Sequence, residues 1–257
     1  MRNIIYAFTL AALLFVSCDD EILIPPVENY GINGRIMDES GNPISGVKVY
    51  YLFNYYYIPN LTATDKPMNE AEVDSFGYAL YQNFPNPVYN SSFIRYSLAA
   101  DMDIELTVKE NPTGTVKYTY SGFNSYGLYQ HHLDEIVTSF QLENGGYTIG
   151  LKASKNGALK YEAEKKMIVI SDIGKPNSIS DGNGKYFFDY NKACIGDTLF
   201  YTTDGEHIFP NVTTNEVNLL FKKDGFLTET ISTTLYPEIL LDRDVILKVE
   251  EVQWKRY

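Results

Sequence analysis

The sequence predicts an all-β chain, large enough for two β-sandwiches, and three observations carry that expectation. Tyrosine dominates the aromatic residues, with 22 against a single Trp, and tyrosine suits the pleated, half-buried surface of a strand. Short runs of alternating apolar and polar residues are separated by turn formers, supplied by 18 Gly and 11 Pro,. Finally, 257 residues of which 44% are hydrophobic can bury two modest cores and are too apolar for a disordered chain.

The first residues, MRNIIYAFTLAALLFVSCDD, place Arg2 before an apolar run from Ile4 to Val16. That run is too short to cross a bilayer, which takes about 20 residues, and has the length of a signal-peptide core. It ends at Ser17-Cys18, followed at once by Asp19, Asp20 and Glu21. A small residue and a cysteine directly behind such a run resemble the lipobox of bacterial lipoproteins. Leu14, Val16 and Ser17 suit that pattern, while Phe15 stands where an aliphatic residue is usual. The resemblance implies removal of residues 1–17 and acylation of Cys18, and the bland alternative is an ordinary signal peptide with an incidental cysteine. Each buried CH₂ contributes about 0.8 kcal/mol, so several acyl chains would hold the chain firmly on a membrane. Asp19 to Glu21 resemble the surface-export signals of lipoproteins in bacteria that use type IX secretion, which implies an outward-facing outer-membrane protein rather than a periplasm-facing one. Read without that resemblance, they are a solvated tether.

A formal net charge of −12 repels phosphate backbones and anionic headgroups, so nucleic acid is excluded as a partner and membrane contact falls to Cys18. With Cys18 acylated, Cys194 has no disulfide partner, and in KACIGDTLFY it reads as a buried, inert thiol.

Residues 18–29 form a tether that Pro25-Pro26 stiffens. Strands are expected at about Ile32–Met37 and Val47–Leu52, on either side of the turn-rich stretch from Asp38 to Pro43, with Gly46 suited to a bend of positive φ. Farther on, LYQNFPNPVYNSSFIRYSL (Leu80 to Leu98) sets Pro85 and Pro87 before an alternating strand from Phe93. Both prolines lack an N–H and cannot sit in a central strand, and Pro87 biases Asn86 towards extended backbone. A hairpin turning at Asn111 to Gly114 follows. The last strands fall in EVNLLFKKDGFLTETISTTL and EILLDRDVILKVEEV, read as paired strands ending at Val245–Val249.

Two resemblances organise these pieces. GRIMDESGNPISGVKVYYL, through Gly34, Asp38, Gly41, Pro43, Ile44, Gly46, Val47 and Val49, resembles the opening of carboxypeptidase regulatory-like domains, which are transthyretin-like sandwiches without catalytic zinc. Their usual continuation appears only at Asp181, Gly184, Tyr186 and Phe188, followed by Gly196 to Leu199. The phrase from Leu80, through Gln82, Asn83, Pro85, Asn86, Pro87, Asn90, Ile94, Tyr96 and Leu98, resembles Ig-like domains related to the flagellar hook-cap protein and to type IX C-terminal sorting domains. Ser91 departs from that pattern, and Gly145–Ala153 and Glu164–Ile170 resemble its later strands. The resemblances imply a split regulatory-like sandwich (30–57 and 173–257), a linker (58–79) and an inserted Ig-like sandwich (80–172). Loop tips tolerate such insertions.

No catalytic constellation, metal site or cofactor motif stands out. His131 and His132, near Asp134 and Glu135, are neighbours on an expected strand and so point to opposite faces, and His207 is distant. SDGNG (Ser180 to Gly184) lacks the carboxylates of a calcium loop and reads as a turn. The candidate ligand surface is YYLFNYYYIP, above all Tyr51, Tyr55, Tyr56 and Tyr57, because exposed tyrosines stack on sugar rings or peptides. The competing reading buries alternate residues in the sandwich and sets the others along the interdomain seam. The expected role is non-enzymatic binding or assembly at the cell surface, with an envelope protein or glycan as partner. Glycan or peptide capture beside an outer-membrane transporter, and association with type IX secretion, are the alternatives.

Overall fold

The computed structural model describes residues 30–58, 77–201 and 209–250; Cys18, His207 and most of the expected linker lie outside them. Among the described residues the chain is all-β, with several mostly antiparallel sheets packed as sandwiches.

One pair of sheets is built from both ends of the described chain. At the centre of the first sheet, β1 (Gly31–Met37) pairs antiparallel with β11 (Lys185–Asp189). On its other side it pairs parallel with β15 (Leu240–Asp242) and β16 (Val245–Ile246). In the second sheet, β2 (Lys48–Tyr57) lies between β10 (Ser178–Ile179) and β13 (Phe209–Lys222). The far edge of β13 takes both β12 (Thr198–Tyr201) and β14 (Glu229–Thr234). Alternation sets Val49, Tyr51 and Phe53 on one face of β2, and the register puts Phe221, Leu219 and Val217 opposite them. Those six side chains join Ile32, Ile36 and Phe188 in one buried cluster, where full burial of a large apolar side chain contributes about 1.5–3 kcal/mol.

The strands around Asp38 to Pro43 are in the expected places but do not form a hairpin. β1 and β2 belong to different sheets, and the segment between them folds back on β1 through a bridge between Met37 and Pro43 and a bond from Ile44 N to Ile36 O (2.9 Å). Asp38 explains the corner, since its Oδ1 accepts hydrogen bonds from the backbone of Ser40 (2.9 Å) and Asn42 (2.8 Å), turning the chain from one layer into the other. β15 and β16 likewise pair with β1 rather than with each other.

The second pair of sheets is contiguous in sequence. β3 (Ala79–Leu80), β4 (Ser92–Leu98) and β7 (Gly127–Leu133) form one sheet. The other runs in the order β6 (Thr115–Asn124), β5 (Met102–Glu110), β8 (Gly145–Lys155) and β9 (Ala158–Val169). A single helical turn, α1 (Ile136–Ser139), closes one end. Ile94, Tyr96, Leu106, Val108, Ile149, Leu151, Met167 and Val169 lie in its core.

The stretch before β4 works as a bracket. Gln82, Asn83 and Asn86 are buried polar residues, which need partners to offset lost hydration. Gln82 Nε2 donates to Lys166 O (2.8 Å), Asn83 Nδ2 donates to Ser92 Oγ (3.0 Å), and Asn86 Oδ1 accepts from Ile168 N (3.1 Å). Val88 N then donates to Ile168 O (2.7 Å) and Ile170 N to Val88 O (2.9 Å). The beginning of this unit is thereby bonded to its last strand.

That last strand also joins the two pairs of sheets. Met167 and Val169 point into the second core, whereas Ile168, between them, lies in the first, as period-2 alternation requires of a strand buried on both faces. Beside it, Asn144 is buried. Its Nδ2 donates to Tyr51 O (2.8 Å), its Oδ1 accepts from Ser171 N (2.7 Å), and its backbone carbonyl accepts from Asn177 Nδ2 (2.8 Å). Asn177 Oδ1 in turn accepts from Tyr51 N (2.8 Å), closing a ring of amides across the seam. Next to it, Glu143 bonds Lys175 (2.6 Å) and Lys192.

Replacing Asn144 by alanine leaves the Tyr51 carbonyl and the Ser171 N–H buried without partners, at about 1–3 kcal/mol each. Asn144→Ala should therefore lower the unfolding free energy by about 2–6 kcal/mol, read from urea denaturation; a loss below about 0.5 kcal/mol would contradict the geometry.

Burial raises the Glu143 carboxyl pKa, but its bonds to Lys175 and Lys192 outweigh that, so it is held below the ordinary value. Stability from a depressed carboxyl is present above the unfolded value of about 4.3 and is lost as pH falls through the folded one. Glu143→Gln should thus flatten the decline in urea midpoint below about pH 4.3, an effect measured against the parent chain across that range.

Candidate functional site

The aromatic run on β2 divides in two. Tyr51 is fully buried, stacked on Phe188 at 4.3 Å and edge-on to Phe53, and its hydroxyl donates to Ala193 O at 3.2 Å. Burial raises its pKa strongly. Tyr51 therefore belongs to the core and corrects the expectation that it lines a ligand surface: it shares parity with Val49 and Phe53, the inward face of β2. Sequence alternation carried that signal, because an odd-numbered inward face already ran through Val47 and Val49.

Tyr55, Tyr56 and Tyr57 behave differently. Their exposures are 40%, 59% and 53%, three successive residues where a strand sealed on one face would expose alternate ones. The cause lies in the partner strand, whose pairing with β2 shifts register between Thr213 and Val217. Such an irregularity bends a strand and re-aims its side chains. Beyond it, Tyr56 pairs with Val212 and Tyr57 with Asn211, and the exposed Phe209 lies at the start of the same ribbon. The result is a row of exposed amphipathic rings at one end of the sheet. Aromatic faces take up apolar faces of sugars or prolines and phenol hydroxyls bond polar rims.

The two neighbouring histidines point apart. His131 Nε2 is 2.5 Å from the hydroxyl of Tyr118, with the Tyr120 ring at 4.4 Å, whereas His132 packs edge-on against Phe93. Burial, with help from His132, pushes the His131 pKa down, so it is a neutral hydrogen-bonding group at neutral pH. Among the described residues no group of three metal-binding side chains converges. At SDGNG, Asp181 Oδ1 accepts from the backbone of Asn183 and Lys185, both at 2.8 Å, which makes this a turn.

Cys194 is half-buried, and burial pushes its thiol up to about 12. A thiol so far above its ordinary value is protonated and a poor nucleophile. It packs where β8 meets the first pair of sheets: a Cβ on Gly146 would sit 2.6 Å from its Sγ, so only glycine fits that close approach.

No family model, no curated protein and no solved structure matches this chain.

The two halves of the aromatic run differ in what their loss should do. Tyr51→Ala empties a closed core site and should cost about 3–5 kcal/mol, whereas Tyr56→Ala should change stability by less than about 0.5 kcal/mol. Thermal and urea unfolding of both variants check this, and equal losses would contradict the assignment of Tyr51 to the core and Tyr56 to the surface.

Proposed function

We propose that this chain is a lipid-anchored module of the bacterial outer membrane, tethered at Cys18 and facing outward, that binds or assembles with a partner rather than catalysing a reaction. The observation that carries the binding role is the run of three successive exposed tyrosines, Tyr55 to Tyr57, at one end of a rigid sheet. Rigid rings on a strand lose little entropy when a partner covers them. The lipobox-like Ser17-Cys18 and the acidic residues behind it support the anchor and its orientation.

For the fold, the finer reading is a transthyretin-like, carboxypeptidase regulatory-like sandwich that carries an Ig-like one in a loop. What supports it is the quoted motifs, together with the pairing of β1 and β2 with strands that follow residue 177. A sorting role for the Leu80–Leu98 phrase is the weaker reading, since its amides are engaged by Lys166, Ile168 and Phe200 and a long stretch of chain follows it.

The partner class favoured by the tyrosines is a glycan, or a peptide held on its flat faces, beside an outer-membrane transporter. On a glycan and peptide array, Tyr55→Ala and Tyr56→Ala should weaken binding at least tenfold, about 1.4 kcal/mol; unchanged signals would remove the aromatic surface from the proposal. Metabolic labelling with an alkynyl fatty acid should mark the parent chain and not Cys18→Ala. Label retained in that variant would rule out the anchor at Cys18.

A further inference from the structure

The opposite end of β2 presents different chemistry. Its outward face carries Lys48 and Tyr50, which stand opposite Lys222 and Leu220 of β13. Like charges directly opposite each other on neighbouring strands are destabilising, so the Lys48–Lys222 pair needs an explanation. Part of it is Asp172, in the segment after β9, which bonds Lys222 at 2.5 Å and also accepts from the Tyr89 hydroxyl at 2.5 Å. Lys48, Tyr50, Asp172 and Lys222, with Lys223 and Asp224, line an open cleft of about 280 Å³.

Within the cleft some groups are engaged and others are not. Asp172 is taken up by Lys222 and Tyr89, and Lys223 donates to Ser45 O at 2.6 Å. Lys48 makes no ion pair among the described residues. Tyr50 supplies a second free donor. Its ring belongs to the outward face and is only 4% exposed, while its hydroxyl, which makes no hydrogen bond among the described residues, is reached by solvent through the cleft it lines. A phenol hydroxyl open to a cleft on an otherwise buried ring is a donor free for a ligand. Burial raises its pKa, Lys222 opposes and Asp172 adds to the rise, so the hydroxyl stays protonated and able to donate at neutral pH.

We propose that this cleft binds a small oxyanion, the carboxylate or phosphate group of a ligand, between the ammonium groups of Lys48 and Lys223 and the hydroxyl of Tyr50. Ammonium and phenol donors to an anionic oxygen form charge-assisted bonds, stronger than neutral ones. Asp224, also lining the cleft, limits the charge taken up to one anionic group and offers an acceptor to a ligand hydroxyl. The site stands apart from Tyr55–Tyr57: Lys48 and Tyr57 are the first and last residues of β2, about 30 Å apart at strand rise. It holds whether or not the aromatic ribbon takes a partner.

The test is calorimetric titration of the full chain, in neutral detergent at low salt, with inorganic phosphate and separately with glucuronate. At least one anion should bind with one-to-one stoichiometry and weaken as salt rises. Lys48→Gln should cut that affinity at least tenfold and Tyr50→Phe severalfold, while Lys152→Gln, on the second pair of sheets, leaves it unchanged. Phosphate binding alone identifies a phosphate-bearing ligand, and glucuronate binding alone an acidic sugar. Binding of neither, or binding that Lys48→Gln and Tyr50→Phe leave intact, overturns the proposal. As a measurement free of substitutions, saturating anion should protect Lys48 of the parent chain from reductive methylation, read by peptide mass spectrometry; unprotected Lys48 counts equally against the site.

Discussion

A buried carboxamide must have both its donor and its acceptor filled, and at Asn144 the two partners belong to different parts of the molecule. Its Nδ2 holds the Tyr51 carbonyl of β2, and its Oδ1 holds the Ser171 amide of the returning chain. Asn177 completes the ring by bonding the Asn144 carbonyl and the Tyr51 N–H together. Every group in that ring is a backbone or amide dipole, so the seam carries direction as well as attraction: the sheets can meet in one registry only. Tyr51 is thereby fixed from both sides, through its backbone at the seam and its ring against Phe188 in the core. The apolar part of the joint follows from the same placement. Once Ser171 is held, β9 must run past the first core, and Ile168 enters it while Met167 and Val169 stay in the second.

The surface features follow from this frame. With β2 anchored in the middle, its two ends are left for other work. At one end the register shift opposite β13 releases Tyr55 to Tyr57 from alternation. At the other, the chain returning from β9 passes Lys222 and leaves a cleft over Lys48 and Tyr50. The two proposed surfaces are thus products of one strand held rigidly at its centre.

Much of the strand pattern was legible because alternation and turn chemistry are local. The β4 strand behind Pro87, the turn at Asn111 to Gly114, and Asp181 in SDGNG all follow from residues within a few positions. Partner choice was harder to see. Asp38 to Pro43 looks the same whether it joins two paired strands or turns the chain between layers, and it does the latter. Asn144 and Asn177 were invisible, since a polar residue before a Gly pair or after a proline reads as loop, and only tertiary contact makes either of them buried or half-buried and bonded. Among the candidate site residues, the error over Tyr51 came from treating an aromatic run as a unit when parity already separated its faces. The cleft at Lys48 escaped because its members come from β2, β13 and the segment after β9, far apart in sequence.

The central claim is that the amide ring and the shared strand β9 make the two pairs of sheets one cooperative structure. Native-state hydrogen exchange in rising denaturant tests it most directly, by comparing the amides of Val49 and Leu219 with those of Leu106 and Ile149. These four should converge on a single opening free energy, with Tyr51 and Ser171 exchanging only in that same event. Two separate isotherms, with Tyr51 and Ser171 released in an earlier and cheaper opening, would contradict it.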